Sequence, residues 1–395
     1  MPFLYYLNAL FDLQLNGSPI SAKLQASATQ MECLFLAVAK KGDRVLLQTP
    51  ADESYLHYLR RFGLGEAEIQ GPTEKARGYV ARVWGWNTEA VNLLSNTGAD
   101  CTHPSLDIVR RVNSRLFCHT VGRQEDLGVP YAHWCSDSDE VFEAVDHMPR
   151  GRKVIKAPFG TAGAGFYWID SAHEIRNRQQ AIQTICEQQG GVVVEPWLDR
   201  IVDIGSLARI TPEGRVSSPR HHRNLSNRAG TFFGDWIEPE DPILAPWIER
   251  LDEAIAVTAR RLYEAGYWGV FGCDSFLYRD EQCNTGLVSV FEINARCPMS
   301  VIAYGVKNKV APERPGLFRF IARRRHSLPH DYRSLEKIFC QLGGAESGVI
   351  LMTPLRIFQD KTWKQPARSA FFIYAPSPAK LLKLDMALRE RLQSG

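Results

Sequence analysis

The sequence predicts an α/β protein of mixed α+β type, and three features of the 395-residue chain support this prediction. Over residues 1–105, short apolar runs of strand length alternate with amphipathic helical stretches, as in a small parallel α/β domain. A glycine-rich segment at 160–165 lies between two strand-like runs. Further along, another strand-like run ends in polar side chains at the alternate positions 292, 294 and 296.

The composition is ordinary for a soluble globular protein, with 45% hydrophobic and 23% charged residues. The formal net charge of +3 is too small to predict nucleic acid or a membrane surface as a partner. The start of the chain lacks the basic segment of a signal peptide, and no run of 18 apolar residues occurs. We therefore expect a cytoplasmic protein that binds neither nucleic acid nor a membrane.

Nine cysteines are scattered along the chain without a C-x-x-C pair. This pattern argues against a disulfide framework and against a structural zinc site, and it favours a reducing compartment. Cys297 directly follows the polar positions 292–296, so a nucleophile is one interpretation of this residue. A small hydrophobic side chain beside a site is the other interpretation, and we favour it.

Length and pattern predict two or three domains. Residues 1–105 form the first, which has no glycine-rich turn from strand to helix of the kind that binds nucleotides. Residues 106–305 carry the motifs described below. We expect residues 306–395 to complete a sheet; the predicted elements are helices at Leu317–Arg325 and Leu335–Gln341, and strands at Val349–Met352 and Ala370–Tyr374.

The glycine-rich segment Gly160–Gly165 joins the predicted strand Lys153–Lys156 to the predicted strand Phe166–Ile169. Walker and Rossmann loops open a helix, so neither fits a loop that joins strand to strand. A glycine hairpin with exposed backbone N–H groups can nevertheless close over phosphates. Lys156 would supply a positive charge at the base of this loop. A plain glycine hairpin without a ligand is the alternative.

The next predicted strand, Val192–Glu195, ends at Pro196-Trp197-Leu198. Proline leaves the backbone partly unpaired there and free to bond a ligand such as a purine ring. Asp203 is placed to reach a ribose hydroxyl. The stretch Arg220–Asn224 then brings four cationic or titratable groups together, which suits contacts to an anionic substrate or phosphate. A solvated loop is an equally good interpretation of that stretch.

The strand-like run Val288–Phe291 is followed by Glu292, Asn294 and Arg296. In an extended segment, alternate residues point to the same side, so the three side chains form one row. A carboxylate and an amide oxygen suit Mg²⁺, and the guanidinium suits a phosphate or carboxylate. Asp274, on the predicted strand just upstream, can supply a third metal ligand. The alternative is a solvent-facing polar edge.

In order and spacing, these motifs resemble the ATP-grasp superfamily over residues 105–300, about half of the chain. D-alanine–D-alanine ligase and biotin carboxylase share this layout. The resemblance implies an ATP-grasp fold in which residues 106–305 form the nucleotide-binding and catalytic domain, with a lid at roughly 150–200. Residues 1–105, with Val83-Trp84-Gly85-Trp86, are similar to the pre-ATP-grasp domain of peptide ligases in natural-product pathways.

The resemblance also implies a set of nucleotide contacts. Lys156 would bind the α- and β-phosphates, and Arg115 stands where the family usually has its first phosphate-binding lysine. Residues 195–198 would frame adenine, and Asp203 would hold the ribose. The complete implied set is Arg115, Lys156, Gly160, Thr161, Gly163, Gly165, Glu195, Trp197, Leu198 and Asp203.

For the metal, the resemblance implies that Asp274, Glu292 and Asn294 bind Mg²⁺, with two ions expected and Mn²⁺ able to substitute. Arg296 would contact the transferred phosphate or the substrate carboxylate. The expected catalytic residues are Arg296, Arg223 and Lys156.

The implied activity is that of an ATP-dependent carboxylate–amine ligase. It would form an amide through an acyl phosphate, release ADP and phosphate, and act on amino acids or small peptides. A small-molecule kinase of the same fold, and a nucleotide-binding regulatory protein without turnover, are the alternatives. The identity of the acid and amine, and whether the protein forms a homodimer, are left open at this point.

Overall fold

The structure is a computed structural model that describes residues 1–395 apart from 18, 161–165, 171, 228–229, 323–327, 345, 360 and 394–395. Its described part contains three sheets of four or more strands and one short two-stranded hairpin. Every described helix is too short or too polar to cross a membrane.

The N-terminal unit is a small parallel sheet covered by helices. Its strands are β1 Phe3–Tyr6, β2 Arg44–Leu46, β3 Glu68–Gln70 and β4 Val80–Val83. Its helices are α1 Phe11–Leu15, α2 Ala22–Thr29, α3 Glu53–Arg60, α4 Thr88–Thr97 and a 3₁₀ helix at Glu32–Ala37. The strand order is β3-β2-β1-β4, and all three pairings are parallel, as the sequence predicts.

A second unit, the lid sheet, follows two connecting helices, α5 Leu106–Val112 and α6 Arg115–Gln124. Its elements are β5 His133–Cys135, α7 Ser138–His147, β6 Lys153–Lys156, β7 Phe166–Ile169, α8 Ala172–Gln189 and β8 Val192–Pro196. The strands lie antiparallel in the order β5-β8-β6-β7. The glycine segment therefore joins strand to strand, as predicted, although residues 161–165 lie outside the described part.

The third unit is an eight-stranded antiparallel sheet, the central sheet. Its strands are β9 Asp199–Ile210, β10 Arg220–Ser226, β11 Phe232–Ile237, β12 Gly269–Arg279, β13 Thr285–Asn294, β14 Gly316–Ala322, β15 Gly348–Leu351 and β18 Arg368–Tyr374. Its helices are α9 Ile248–Glu264, α10 Met299–Val310, α11 Tyr332–Leu342 and α12 Pro378–Gln393, with a 3₁₀ turn at Ala245–Trp247. The hairpin strands β16 Ile357–Gln359 and β17 Thr362–Lys364 stand apart. The strand order of the central sheet is β13-β12-β9-β10-β11-β14-β18-β15.

The helix predicted at Leu317–Arg325 is wrong, because its described residues belong to strand β14, which pairs with β11 and β18. A strand buried between two neighbours is a continuous apolar run, and periodicity alone does not separate such a run from a buried helix. Through β14, β18 and β15, the residues after 305 extend the same sheet that carries β9–β13. The predicted domain boundaries at 105 and 305 stay predictions.

Helix α6, which begins at Arg115, is held against strand β13 by a close approach of backbone. The Gly122 carbonyl accepts the N–H groups of Leu127 (2.8 Å) and Gly128 (3.0 Å), and the Leu127 carbonyl accepts the N–H of Val290 (2.8 Å). A Cβ at Gly122 would lie 2.8 Å from the Cα of Gly128. The position therefore requires a residue without a side chain, and it fixes Arg115 relative to the central sheet.

Gly122→Ala should lower the free energy of unfolding by about 1–3 kcal/mol, because the added methyl group forces backbone atoms apart. Urea denaturation of the variant and the wild type measures this change. Gly344→Ala is the matched control, since no described atom lies within 4 Å of a Cβ built there. Equal denaturation midpoints for the two variants would contradict the proposed close approach.

Candidate active site

A cleft of about 320 Å³ opens where the three units meet. The N-terminal unit contributes Asp12 and Trp84 to its walls, the lid sheet contributes Phe166, and the central sheet forms its floor. The predicted site residues that line it are Arg115, Gly160, Trp197, Asp203, Asp274, Glu292, Asn294 and Arg296. Thr161, Gly163 and Gly165 lie outside the described residues.

The register of the central sheet aligns the polar residues on one face. Asp274 on β12 lies opposite Glu292 on β13 and opposite Gly205 on β9. Gly205 in turn lies opposite His222 on β10. Directly opposed residues of antiparallel strands share a face, so these four positions form one row across the cleft floor. Asn294 lies in the next row, opposite a glycine of β12.

Asp274 is a half-buried carboxylate between two amides. Its oxygens accept hydrogen bonds from Asn224 Nδ2 (3.0 Å) and Asn294 Nδ2 (3.1 Å). Burial, and next the neighbouring Glu292 carboxylate, raise the pKa of Asp274 to about 7. Two carboxylates, Asp274 and Glu292, thus lie side by side in this row, and a bound cation would stabilise them in their ionised form.

The donor set at this position fits Mg²⁺. The described part of the chain has no group of three or more His, Cys, Asp or Glu residues arranged for a metal. A cation here would take the carboxylates of Asp274 and Glu292, the amide oxygen of Asn294 and oxygens of a bound phosphate, since Mg²⁺ is bound by one or two carboxylates together with substrate phosphates. In this structure the Asn294 side-chain nitrogen donates to Asp274.

Two guanidinium groups flank the carboxylates. Arg115 donates to Glu292 Oε1 (2.9 Å) and to the backbone carbonyls of Ala157 (2.7 Å) and Gly160 (3.4 Å), which places it at the base of the glycine segment. Arg296 Nε donates to Asp12 Oδ1 (2.8 Å) on the N-terminal unit. The cleft thus presents cations beside its carboxylates, an arrangement that suits an anionic ligand.

The structure does not bring Lys156 to the cleft. Its ammonium is buried and forms an ion pair with Glu195, and it lies 3.8 Å from the centre of the Phe291 ring. Burial lowers the pKa of Lys156 to about 8, although the Glu195 carboxylate acts in the opposite direction. Glu195 itself lines an adjoining cavity rather than the main cleft. A direct phosphate contact from Lys156 would require this ion pair to open.

The segment 195–198, which is predicted to frame adenine, differs in part from expectation. Trp197 lines the cleft, but its backbone N–H donates to the Arg152 carbonyl (2.8 Å) and so does not bond a ligand here. Leu198 lines a neighbouring groove. Asp203 lines the cleft as predicted and accepts a hydrogen bond from the Ser226 hydroxyl.

Sequence reasoning missed Arg200. Its guanidinium carbon lies 4.4, 4.3 and 4.2 Å from the ring centres of Trp197, Phe276 and Phe291, beside the Asp203 carboxylate (3.5 Å). The three rings come from three separate segments, so their approach to Arg200 could not be predicted from the sequence. The sequence shows only that Arg200 lies between the segment 195–198 and Asp203. Aromatic faces of this kind also suit a planar nucleobase.

The prediction for Arg223 is not supported by its position. The stretch Arg220–Asn224 belongs to strand β10 rather than a solvated loop, so its side chains alternate between two faces. Asn224 faces the cleft, whereas Arg223 forms ion pairs with Asp241 (2.6 Å) and Glu238 on the other face. Its charge is therefore used within the fold and is not presented to the cleft.

Cys297 is buried beneath the site, and burial raises the pKa of its thiol to about 12. The thiolate is the nucleophilic form of cysteine, so this side chain stays an unreactive thiol near neutral pH. The structure supports the interpretation of Cys297 as a small hydrophobic residue.

Comparison with known proteins identifies the fold. Neither a scan against protein-family models nor a search of curated protein sequences finds a match. Among solved structures, N5-carboxyaminoimidazole synthetase from Staphylococcus aureus, complexed with ADP, has a TM-score of 0.56 at 12% identity, with 98% of each chain covered. Phosphoribosylamine–glycine ligase from Thermotoga maritima has a TM-score of 0.58 at 13% identity, covering 98% of this chain and 96% of that one.

A third similar structure is the biotin carboxylase domain of 2-oxoglutarate carboxylase from Hydrogenobacter thermophilus, in complex with MgADP, ADP and bicarbonate. Its TM-score is 0.56 at 12% identity, covering 89% of this chain and 84% of that one. These are ATP-grasp proteins, so the chain has the ATP-grasp fold, and the predicted fold class is confirmed.

Lys156→Met should lower the free energy of unfolding by about 3–5 kcal/mol, because it leaves the Glu195 carboxylate buried without a counter-charge. Adding Glu195→Gln should restore most of the loss. Urea denaturation of both variants measures these changes. Arg152→Met removes a half-exposed ion pair with Asp170 in the same lid sheet and should have only a small effect. Equal losses for Lys156→Met and Arg152→Met would be inconsistent with a buried pair.

Proposed function

We propose that this protein is an ATP-dependent ligase that joins a carboxylate to an amine through an acyl phosphate. The observation that carries the proposal is the cluster of Asp274, Glu292 and Asn294 beside the guanidinium groups of Arg115 and Arg296, in one cleft of an ATP-grasp fold. Two of the similar structures support the proposal. One is a phosphoribosylamine–glycine ligase, and the other is a biotin carboxylase domain in complex with MgADP and bicarbonate. The cleft volume of about 320 Å³ suits small-molecule substrates.

In this proposal, Arg115 and the glycine segment contact the phosphates of ATP, and Asp203 contacts the ribose. Trp197 and Phe291, two of the rings around Arg200, border the base. Asp274, Glu292 and Asn294 would hold Mg²⁺, which would supply positive charge to neutralise the phosphates. Lys156 acts through Glu195 by holding the end of strand β8 in place.

The reaction balances as two displacements. A carboxylate oxygen of the acid attacks the γ-phosphorus, the bond from that phosphorus to the β,γ-bridging oxygen breaks, and ADP leaves. The amine nitrogen then attacks the acyl carbon, and phosphate leaves with the electrons of the C–O bond. Of the three hydrogens of the ammonium form, one remains in the amide, one ends on phosphate and one goes to water. Arg296 can hold the anionic acid or the phosphoryl group while these atoms align.

The acid and amine we propose are amino acids or small peptides.

A cytoplasmic location accords with the cysteines, because all nine are described and none forms a disulfide.

The first experiment incubates the purified protein with Mg²⁺-ATP and pooled amino acids, and follows phosphate release together with product mass. We expect ADP, phosphate and a product whose mass is the sum of two substrates less water. A phosphorylated acceptor without released phosphate would instead establish a kinase. Tight ATP binding without turnover across pools of acids and amines would favour a regulatory role.

Asp274→Asn combined with Glu292→Gln should reduce amide synthesis at least ~100-fold, because the metal-dependent stabilisation of phosphoryl transfer is worth several kcal/mol. Product mass spectrometry under saturating substrates measures this loss. Asp280→Asn is the matched control: it removes a carboxylate from the turn that joins β12 to β13, where Asp280 accepts bonds from Gln282 and Asn284. A double variant as active as this control would show that the metal assignment is wrong.

A further inference from the structure

His222 and Asp235 are two buried polar side chains on the cleft wall that lack sufficient partners. Their side chains are 3% and 1% exposed, and His222 Nε2 lies 3.4 Å from Asp235 Oδ1. Among the described residues, His222 Nδ1 and Asp235 Oδ2 have no hydrogen-bond partner. Leaving such groups unpaired in a buried position is costly.

Other buried ion pairs near this part of the sheet are better satisfied. On the opposite face of β10, Arg223 donates to Asp241 at 2.6 Å and also to Glu238. The longer separation of His222 from Asp235, together with the unpaired atom on each, is what distinguishes this pair from a purely structural one. Both residues line the same cleft as Asp274.

The pair stands at a defined place relative to the carboxylates of the proposed metal site. His222 lies opposite Gly205, which lies opposite Asp274, so two strand spacings, about 10 Å, separate the two positions. Asp235 lies opposite Asn224, one row further. A Cβ at Gly205 would collide with His222 Nε2, so the cleft floor between the two groups has to be free of a side chain.

The cleft is therefore chemically polarised. Arg115 and Arg296 lie beside Glu292 at one end and suit anions. At the other end, Asp235 Oδ2 and His222 Nδ1 have no hydrogen-bond partner among the described residues. An amino group offers several donors and, in its protonated form, a positive charge that complements Asp235. A second carboxylate would instead meet like charge there.

We propose that His222 and Asp235 form the subsite that binds the amino group of the nucleophile. This inference rests on the proposed ligase function and deepens it by naming the end of the cleft at which the amine binds. The amine nitrogen would lie over Gly205, on the side of the acyl group away from the phosphate held near Asp274. His222 and Asp235 are thus positioning residues for the second displacement and are not needed for the first.

The test separates the two displacements with hydroxylamine. This small nucleophile is uncharged at neutral pH and intercepts an acyl phosphate as a hydroxamate, so at high concentration it does not depend on the amine subsite. Wild type, Asp235→Asn and His222→Gln are compared for hydroxamate formation and for amide formation as the amino-acid pool is titrated. His221→Gln is the matched control, because this neighbouring histidine faces the other side and is paired with Ser206 and Asp252. Thermal unfolding midpoints verify that each variant is folded.

We expect the half-saturating concentration of the amino-acid pool to rise at least ~10-fold in Asp235→Asn and His222→Gln, with hydroxamate formation near the wild-type rate. The His221→Gln control should match wild type in both assays. An unchanged half-saturating concentration in both folded variants would overturn the subsite, as would an equal loss of hydroxamate and amide. If the wild-type protein forms no hydroxamate with any acid, the proposed function itself fails, and the subsite fails with it.

Discussion

The half-buried carboxylate of Asp274 is the charge on which the arrangement of the cleft depends. Burial and the adjacent Glu292 raise its pKa to about 7, so the ionised form needs compensation from every side. The amides of Asn224 and Asn294 and the positive charge of Arg296 supply part of it, while Arg115 pairs with the adjacent Glu292. Each guanidinium is anchored on a different unit: Arg115 on backbone of the lid sheet and Arg296 on Asp12 of the N-terminal unit. Charge balance at one carboxylate therefore ties three units together.

Because the cleft lies at this junction, its shape is a property of the assembled chain. Asp12 and Trp84 approach from the N-terminal unit, and the guanidinium of Arg296 lies 5.4 Å from the centre of the Trp84 ring. Tyr55 and Tyr58 of helix α3 bond backbone groups at 351–352, next to the last strands of the central sheet. The N-terminal unit thus contacts the central sheet at two places, through Asp12 and through helix α3. Residues far from the nucleotide motifs can therefore contribute to substrate selection.

Local rules predicted the parts of the site that depend on a single segment. Glu292, Asn294 and Arg296 share a face because alternation along a strand requires only the sequence of that strand. Partners on neighbouring strands could not be predicted in this way. Asn224 and Gly205 come close to Asp274 only because the strand order is β12-β9-β10, and this order is set by pairings between distant segments. The position of Arg223 fails to support its predicted role for a related reason. Once Arg220–Asn224 is a strand, a shift of one position decides between cleft and opposite face.

The same dependence on distant pairing explains Lys156 and Glu195. A lysine in an apolar strand is ordinarily expected to reach solvent or a ligand, since buried lysines are rare without a partner. In the lid sheet, Val154 lies opposite Glu195, which puts Glu195 on the same face as Lys156 in the neighbouring strand. Neither charge is tolerable there alone, because an unpaired buried ion is strongly destabilising. Lys156 and Glu195 therefore act as a pair that holds the end of strand β8 next to Trp197. Substituting either residue leaves the other charge unpaired, and so affects the cleft indirectly.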